Sequence, residues 1–139
     1  MSEFRRASEE RVNAFEVDER YLFKHYFEGD DVFDRLREYY EHSQYRFAVP
    51  PAAFPEVRSF LAEHGYALVL PEDPDAYVVV VRAYTDHPEN VFKRSVAQRS
   101  RPDWNFFLMT DRDAVDAMVE AGATRLAETD LANPFATDG

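Results

Sequence analysis

The residues of this chain best suited to chemistry are arginines, and they fall into two settings. Lys93, Arg94, Arg99 and Arg101 crowd the stretch 90–102 with no acid among them, in a chain whose net charge is −11. If that stretch is a helix, Arg94, Gln98 and Arg101 share one face, and Phe92 and Val96 turn to the core. Such a face suits an anion: a phosphate, a nucleic-acid backbone or the acidic surface of a partner. The simpler reading is that cations near a helix C-terminus answer its dipole and pair with surrounding acids. Arg46 and Arg82 stand instead on apolar strands, with Tyr84 and Asn105 expected nearby. A guanidinium there can act as a fork for a carboxylate or phosphate, and so hold a small anionic metabolite. Here the simpler reading is an internal ion pair, because buried charges are usually paired.

The remaining titratable groups carry less. His25, His42, His64 and His87 are scattered with no spaced pair. Asp86, His87 and Glu89 could be drawn as a metal site, but Asp86 and Glu89 around Pro88 have the spacing of a capping box. Asp111, Asp113 and Asp116 suit the first turn of a helix; the glycine and terminal glutamate of a calcium loop are missing. The chain has no cysteine and only four glycines. Thiolate chemistry is excluded, and no phosphate-cradling loop or nucleophile elbow is present. No catalytic residue, metal or cofactor is assigned.

These side chains need elements to hold them. The strongest strand signal is Ala76–Tyr84, where four consecutive valines lie between tyrosines, apolar on both faces. Around it, Val12–Phe27 reads as a helix through Phe15, Leu22, Phe23, Tyr26 and Phe27, interrupted at Gly29. Asp30 or Asp31 then caps a second helix through Val32, Phe33, Leu36 and Tyr40. Gln44–Val49 alternates as a strand, Ala52–His64 reads as a helix closed by Gly65, and Tyr66–Leu70 as a strand. The turn 71–75 leads into the valine strand. Asp86 opens a helix to about Ser100, ended by Pro102. Trp104–Met109 is a strand, followed by a short helix to Gly122 and a small strand at Ala123–Leu126.

The order over 44–109 is therefore β-α-β-β-α-β, which resembles the ferredoxin-like arrangement. The expectation is one α+β domain, 1–139. It comprises a flexible start (1–11), an N-terminal helical hairpin (12–42), a ferredoxin-like antiparallel sheet (44–109), a C-terminal helix with a short strand (110–126) and a tail (127–139). RNA-binding sheets of that order carry a glycine and a basic residue beside their stacking aromatics, and Tyr77–Tyr84 has neither. Nucleic acid is thus disfavoured as a partner of the sheet.

Asp and Glu number 27 against 16 Lys and Arg, and the lysines are Lys24 and Lys93 alone. Acid excess with scarce lysine resembles the composition of proteins from salt-accumulating halophilic archaea, a likeness that carries no site residues with it. Physically, such a charge preserves solubility and repels itself. No apolar run approaches the roughly 20 residues of a membrane span, and Met1–Glu10 lacks the apolar core of a secretory signal. The expectation is a non-catalytic, cytoplasmic binding module that forms a homodimer. One alternative is a small enzyme or sensor that holds an anionic metabolite through its strand arginines. Another is a basic helix, 90–101, docking on a nucleic acid or an acidic partner.

Overall fold

The computed structural model describes residues 10–27 and 30–135. The expected flexible start falls outside them except for Glu10 and Arg11, as do Gly29 and the end of the tail. The chain is mixed α+β, its sheets mostly antiparallel, and it divides into two compact units, Met1–Pro71 and Glu72–Gly139.

In unit 1, β1 (Glu10–Asn13) pairs in parallel with β6 (Tyr66–Val69). One residue, Ala14, separates β1 from β2 (Phe15–Val17), and its amide still donates to Val69 O at 2.8 Å. The strand therefore passes from pairing with β6 to pairing with β3 (Arg20–Phe23). Asp18 and Glu19 turn the β2–β3 hairpin with φ of +54° and +66°. Helix α1 (Asp31–Leu36) and a 3₁₀ turn then lead to β4 (Tyr40–Glu41), and the order runs β2-β3-β5-β4 with β5 at Arg46–Val49. Helix α2 (Phe54–Glu63) ends before Gly65, whose φ of +88° is easy for glycine alone. Phe23, Phe47 and Val49 from one sheet face pack with Val57 and Leu61 of α2 and Leu36 of α1.

The N-terminal helical hairpin is thus half replaced. Residues 10–23 form three strands, and of the two expected helices the described residues hold the second alone, as the short α1. The reason lies in burial. Phe15 and Val17 alternate with exposed Glu16 over only three residues, and Leu22 and Phe23 are adjacent and both buried, so the period of a strand is too short to stand out against helical spacing.

In unit 2, a 3₁₀ turn (Pro74–Tyr77) leads to β7 (Val78–Arg82). Its valines are 0–7% exposed, as the composition demands. Helix is expected over 86–100, but turns and β8 (Ser95–Ser100) stand there, paired with β9 (Trp104–Met109) around a bulge at Val96. Ala97, Gln98 and Arg99 are good helix formers, and the ladder to β9 overrides that preference. Helix α3 (Arg112–Glu120) starts at Asp111, whose carboxylate accepts from Ala114 N at 2.7 Å. Gly122, at φ +119°, turns the chain into β10 (Thr124–Arg125), and the order is β10-β7-β9-β8. Val79, Val81, Phe107 and Met109 face Ala114, Val115 and Met118 of α3. Burying one such phenylalanine contributes about 1.5–3 kcal/mol.

The two units share a connection pattern that their sequences do not show. In each, a first strand pairs antiparallel with a third, the third forms a hairpin with the second, and a helix leads to a fourth: β3-β4-β5-α2-β6 and β7-β8-β9-α3-β10. In unit 2 the fourth strand pairs directly with the first. In unit 1 the β1–β2 strand lies between them. The expected core 44–109 therefore draws its strands from two units: β5 and β6 belong to the first, β7 and β9 to the second.

Candidate functional site

Arg82 ends β7 and Trp104 begins β9, directly opposite in the antiparallel register. The valine run supplies the rigid strand, and Arg82 is its first exposed position. The guanidinium lies 5.0 Å from the centroid of the Trp104 ring. Such stacking contributes roughly 0.5–1 kcal/mol at an exposed position and restricts the arginine's rotamers. Thr85 Oγ1 donates to Arg82 O at 2.7 Å, and Ala83 N donates to Asp103 O at 2.9 Å. The first closes a turn after the strand, and the second carries the β7–β9 pairing one residue further. Among the described residues Arg82 makes no ion pair, whereas Arg20, Arg35, Arg37, Arg46 and Arg125 each reach a carboxylate within 3.2 Å.

A cleft of about 360 Å³ opens beside Arg82 and Trp104. Thr85, Asp86, Gly122 and Thr124 also line it. Its chemistry is mixed. Arg82 offers planar donors, the threonines offer hydroxyls, and Asp86 offers a carboxylate. The C-terminal end of α3 adds partial negative charge. Two fully charged anionic groups would therefore meet repulsion, while one would be held by Arg82.

Of the other strand candidates, Asn105 pairs with Val81 in the ladder and its Nδ2 lies 3.3 Å from His87 Nε2. His87 itself stacks on Phe92, which meets Phe107 edge-on. Tyr84 lies past the end of β7, 96% exposed, with φ +70°. Arg46 belongs to unit 1 and takes the simpler role: its Nε donates to Glu41 Oε1 at 2.8 Å, and Glu41 also takes Arg20 at 3.2 Å. Next to this pair, the partly buried Lys24 has its pKa lowered from the ordinary lysine value, first by burial and then by the charge of Arg46.

The basic stretch 90–102 presents no helical face. Asn90, at φ +68°, turns the chain, and Lys93 and Arg94 precede β8 while Arg99 lies within it. The bulge at Val96 shifts the alternation, so Ser95 and Gln98 share one side of β8, where Gln98 Nε2 donates to Ser95 Oγ at 2.8 Å, and Ala97 and Arg99 take the other. Arg94 comes within 3.9 Å of Asp111, Arg99 lies over the Phe135 ring, and Arg101 Nη1 donates to Ser100 O. Asp86 and Glu89 open no helix, and no group of three or more acidic or histidine side chains among the described residues could hold a metal. No helix among them is long and apolar enough to cross a membrane.

Trp104 is the site residue that sequence reading passed over, since it reads as the start of a strand. Its signal was its register opposite Arg82, which requires the β7–β9 pairing to be known. Comparison with protein-family models, with curated proteins and with solved structures finds no match to this chain.

Proposed function

We propose that the protein is a non-catalytic binding module whose unit 2 cleft holds a small metabolite through Arg82. The single supporting observation is the guanidinium itself, stacked on Trp104 and left without an acid in a chain of net charge −11. A guanidinium held on an aromatic face, and in no ion pair with a carboxylate of the described residues, is open to an outside anion. Asp86 and the end of α3 select a ligand with one carboxylate or phosphate, joined to an amine or hydroxyl that Asp86 can accept. The strand order of unit 2, β10-β7-β9-β8, resembles the ferredoxin-like arrangement with its first helix replaced, and the cleft lies at the end of its two central strands.

A thermal-shift screen of singly carboxylated and singly phosphorylated metabolites tests this. A ligand that raises the melting temperature of the native chain and not of Arg82→Gln is the expected result. A screen without stabilisation, or stabilisation retained in Arg82→Gln, overturns it.

A further inference from the structure

Unit 1 contains a second cleft, of about 320 Å³, whose lining is of a different kind. Phe27, Phe33, Tyr40 and Phe47 form its walls, Tyr26 and Asp30 its rim, and His25 completes it. We infer that this cleft binds a small organic cation of the methylated-ammonium class.

The walls pack against one another. Tyr40 meets Phe33 at 5.2 Å and 70°, and Phe47 at 5.0 Å and 63°; Phe27 meets Phe47 at 5.7 Å and 63°. These rings pack edge to face on one another, the surface they leave towards the cleft is aromatic, and aromatic faces carry the negative part of the quadrupole. Cations without hydrogen-bonding capacity are attracted to such faces because they surrender little hydration on entering. The Phe33 ring already holds a cation in this way, with the Arg37 guanidinium 5.3 Å from its centroid.

Charge around the cleft points the same way. Among the described residues no lysine or arginine lines it. Alternation along β3 and β5 puts Lys24 and Arg46 on the sheet face opposite Phe23 and Phe47. Asp30 and Asp31 crowd the start of α1, so the rim is acidic. His25 Nε2 lies 3.1 Å from Glu10 Oε2, without the geometry of a hydrogen bond, so a carboxylate stands beside the imidazole. Tyr26, 83% exposed, stands beside the opening with aromatic surface that a ligand would cover. The volume lies at the small end of the 300–1,000 Å³ usual for ligand pockets, roughly right for a compact headgroup.

Titration of the full chain with choline and with its uncharged carbon isostere, at constant ionic strength and followed by aromatic proton shifts, tests the inference. Choline is expected to shift the unit 1 aromatic signals saturably, and the isostere to bind roughly tenfold more weakly or not at all. Phe33→Leu keeps apolar bulk but removes a ring face, and is expected to weaken choline by a similar factor. Asp30→Asn, a surface change that leaves packing untouched, is expected to weaken it several-fold. Equal binding of the isostere would reduce the cleft to an apolar gap and overturn the inference. So would the absence of shifts with choline, or affinity unchanged in Asp30→Asn and in a Phe33→Leu chain of native circular dichroism.

Discussion

Arg82 and Trp104 face each other across the β7–β9 ladder, and the guanidinium rests 5.0 Å from the indole centroid. Because Trp104 is the only tryptophan in the chain, this contact can be read directly. Arg82→Gln removes the cation and should change the emission of Trp104. Loss of the stacking should lower stability by roughly 0.5–1 kcal/mol in urea unfolding. Identical emission and stability in the two proteins would show that the contact does not form in solution.

Lys24 gives a pH signature. Its folded pKa is lowered, first by burial and then by Arg46, below the unfolded value near 10.5. A lysine in that position binds its proton less well folded than unfolded. Stability therefore rises as pH increases from the lowered folded pKa towards about 10.5, and levels off above it. Lys24→Met should remove this rise, so its stability relative to the native chain is greatest near neutral pH and declines at alkaline pH. A difference that stays constant between pH 7 and about 10.5 contradicts the assignment.

The β2–β3 turn stores backbone strain. Asp18 and Glu19 both adopt the left-handed region, which a two-residue hairpin of this kind fills best with Asn-Gly or Asp-Gly. Glu19→Gly should raise stability by about 1 kcal/mol, measured by chemical denaturation. A loss of stability would mean that the Glu19 side chain matters more than its backbone.

Asp111 is the one α-helix N-cap that works through its side chain among the described residues. Asp111→Ala should lower unit 2 stability by about 1 kcal/mol. Asp111→Asn, which retains the acceptor, should lose far less, and equal losses in both variants would implicate the charge, through Arg94.

The charge excess yields a further expectation. With a net charge of −11, self-repulsion is screened by salt, so the melting temperature should rise between low and molar potassium chloride. An unchanged melting temperature contradicts a salt-adapted surface.

Sequence reading succeeded where local signals and tertiary structure agreed. The valine run, the Trp104–Met109 strand, helix α2 with Gly65, and helix α3 with Gly122 lie where their residues placed them. It failed where tertiary pairing outweighed local preference. Asp86, Pro88 and Glu89 have the pattern of a helix start, yet Asn90 turns and Ser95–Ser100 joins β9. The stretch 15–23 hides its strands because β2 alternates over only three residues, a turn follows at once, and Leu22 and Phe23 are adjacent and both buried. The site was legible only in part. Arg82 could be named from a charge ending an apolar strand, while its partnership with Trp104 depended on register, and the aromatic cleft of unit 1 depended on strands that read as a helix.

The most direct measurement is a titration of Trp104 fluorescence with singly charged carboxylates and phosphate monoesters that also carry an amine, in the native chain and in Arg82→Gln. A ligand held by Arg82 should change the native emission saturably and leave the Arg82→Gln emission unchanged. A native signal unaffected by every such ligand, or equal affinity in Arg82→Gln, would contradict the proposed site.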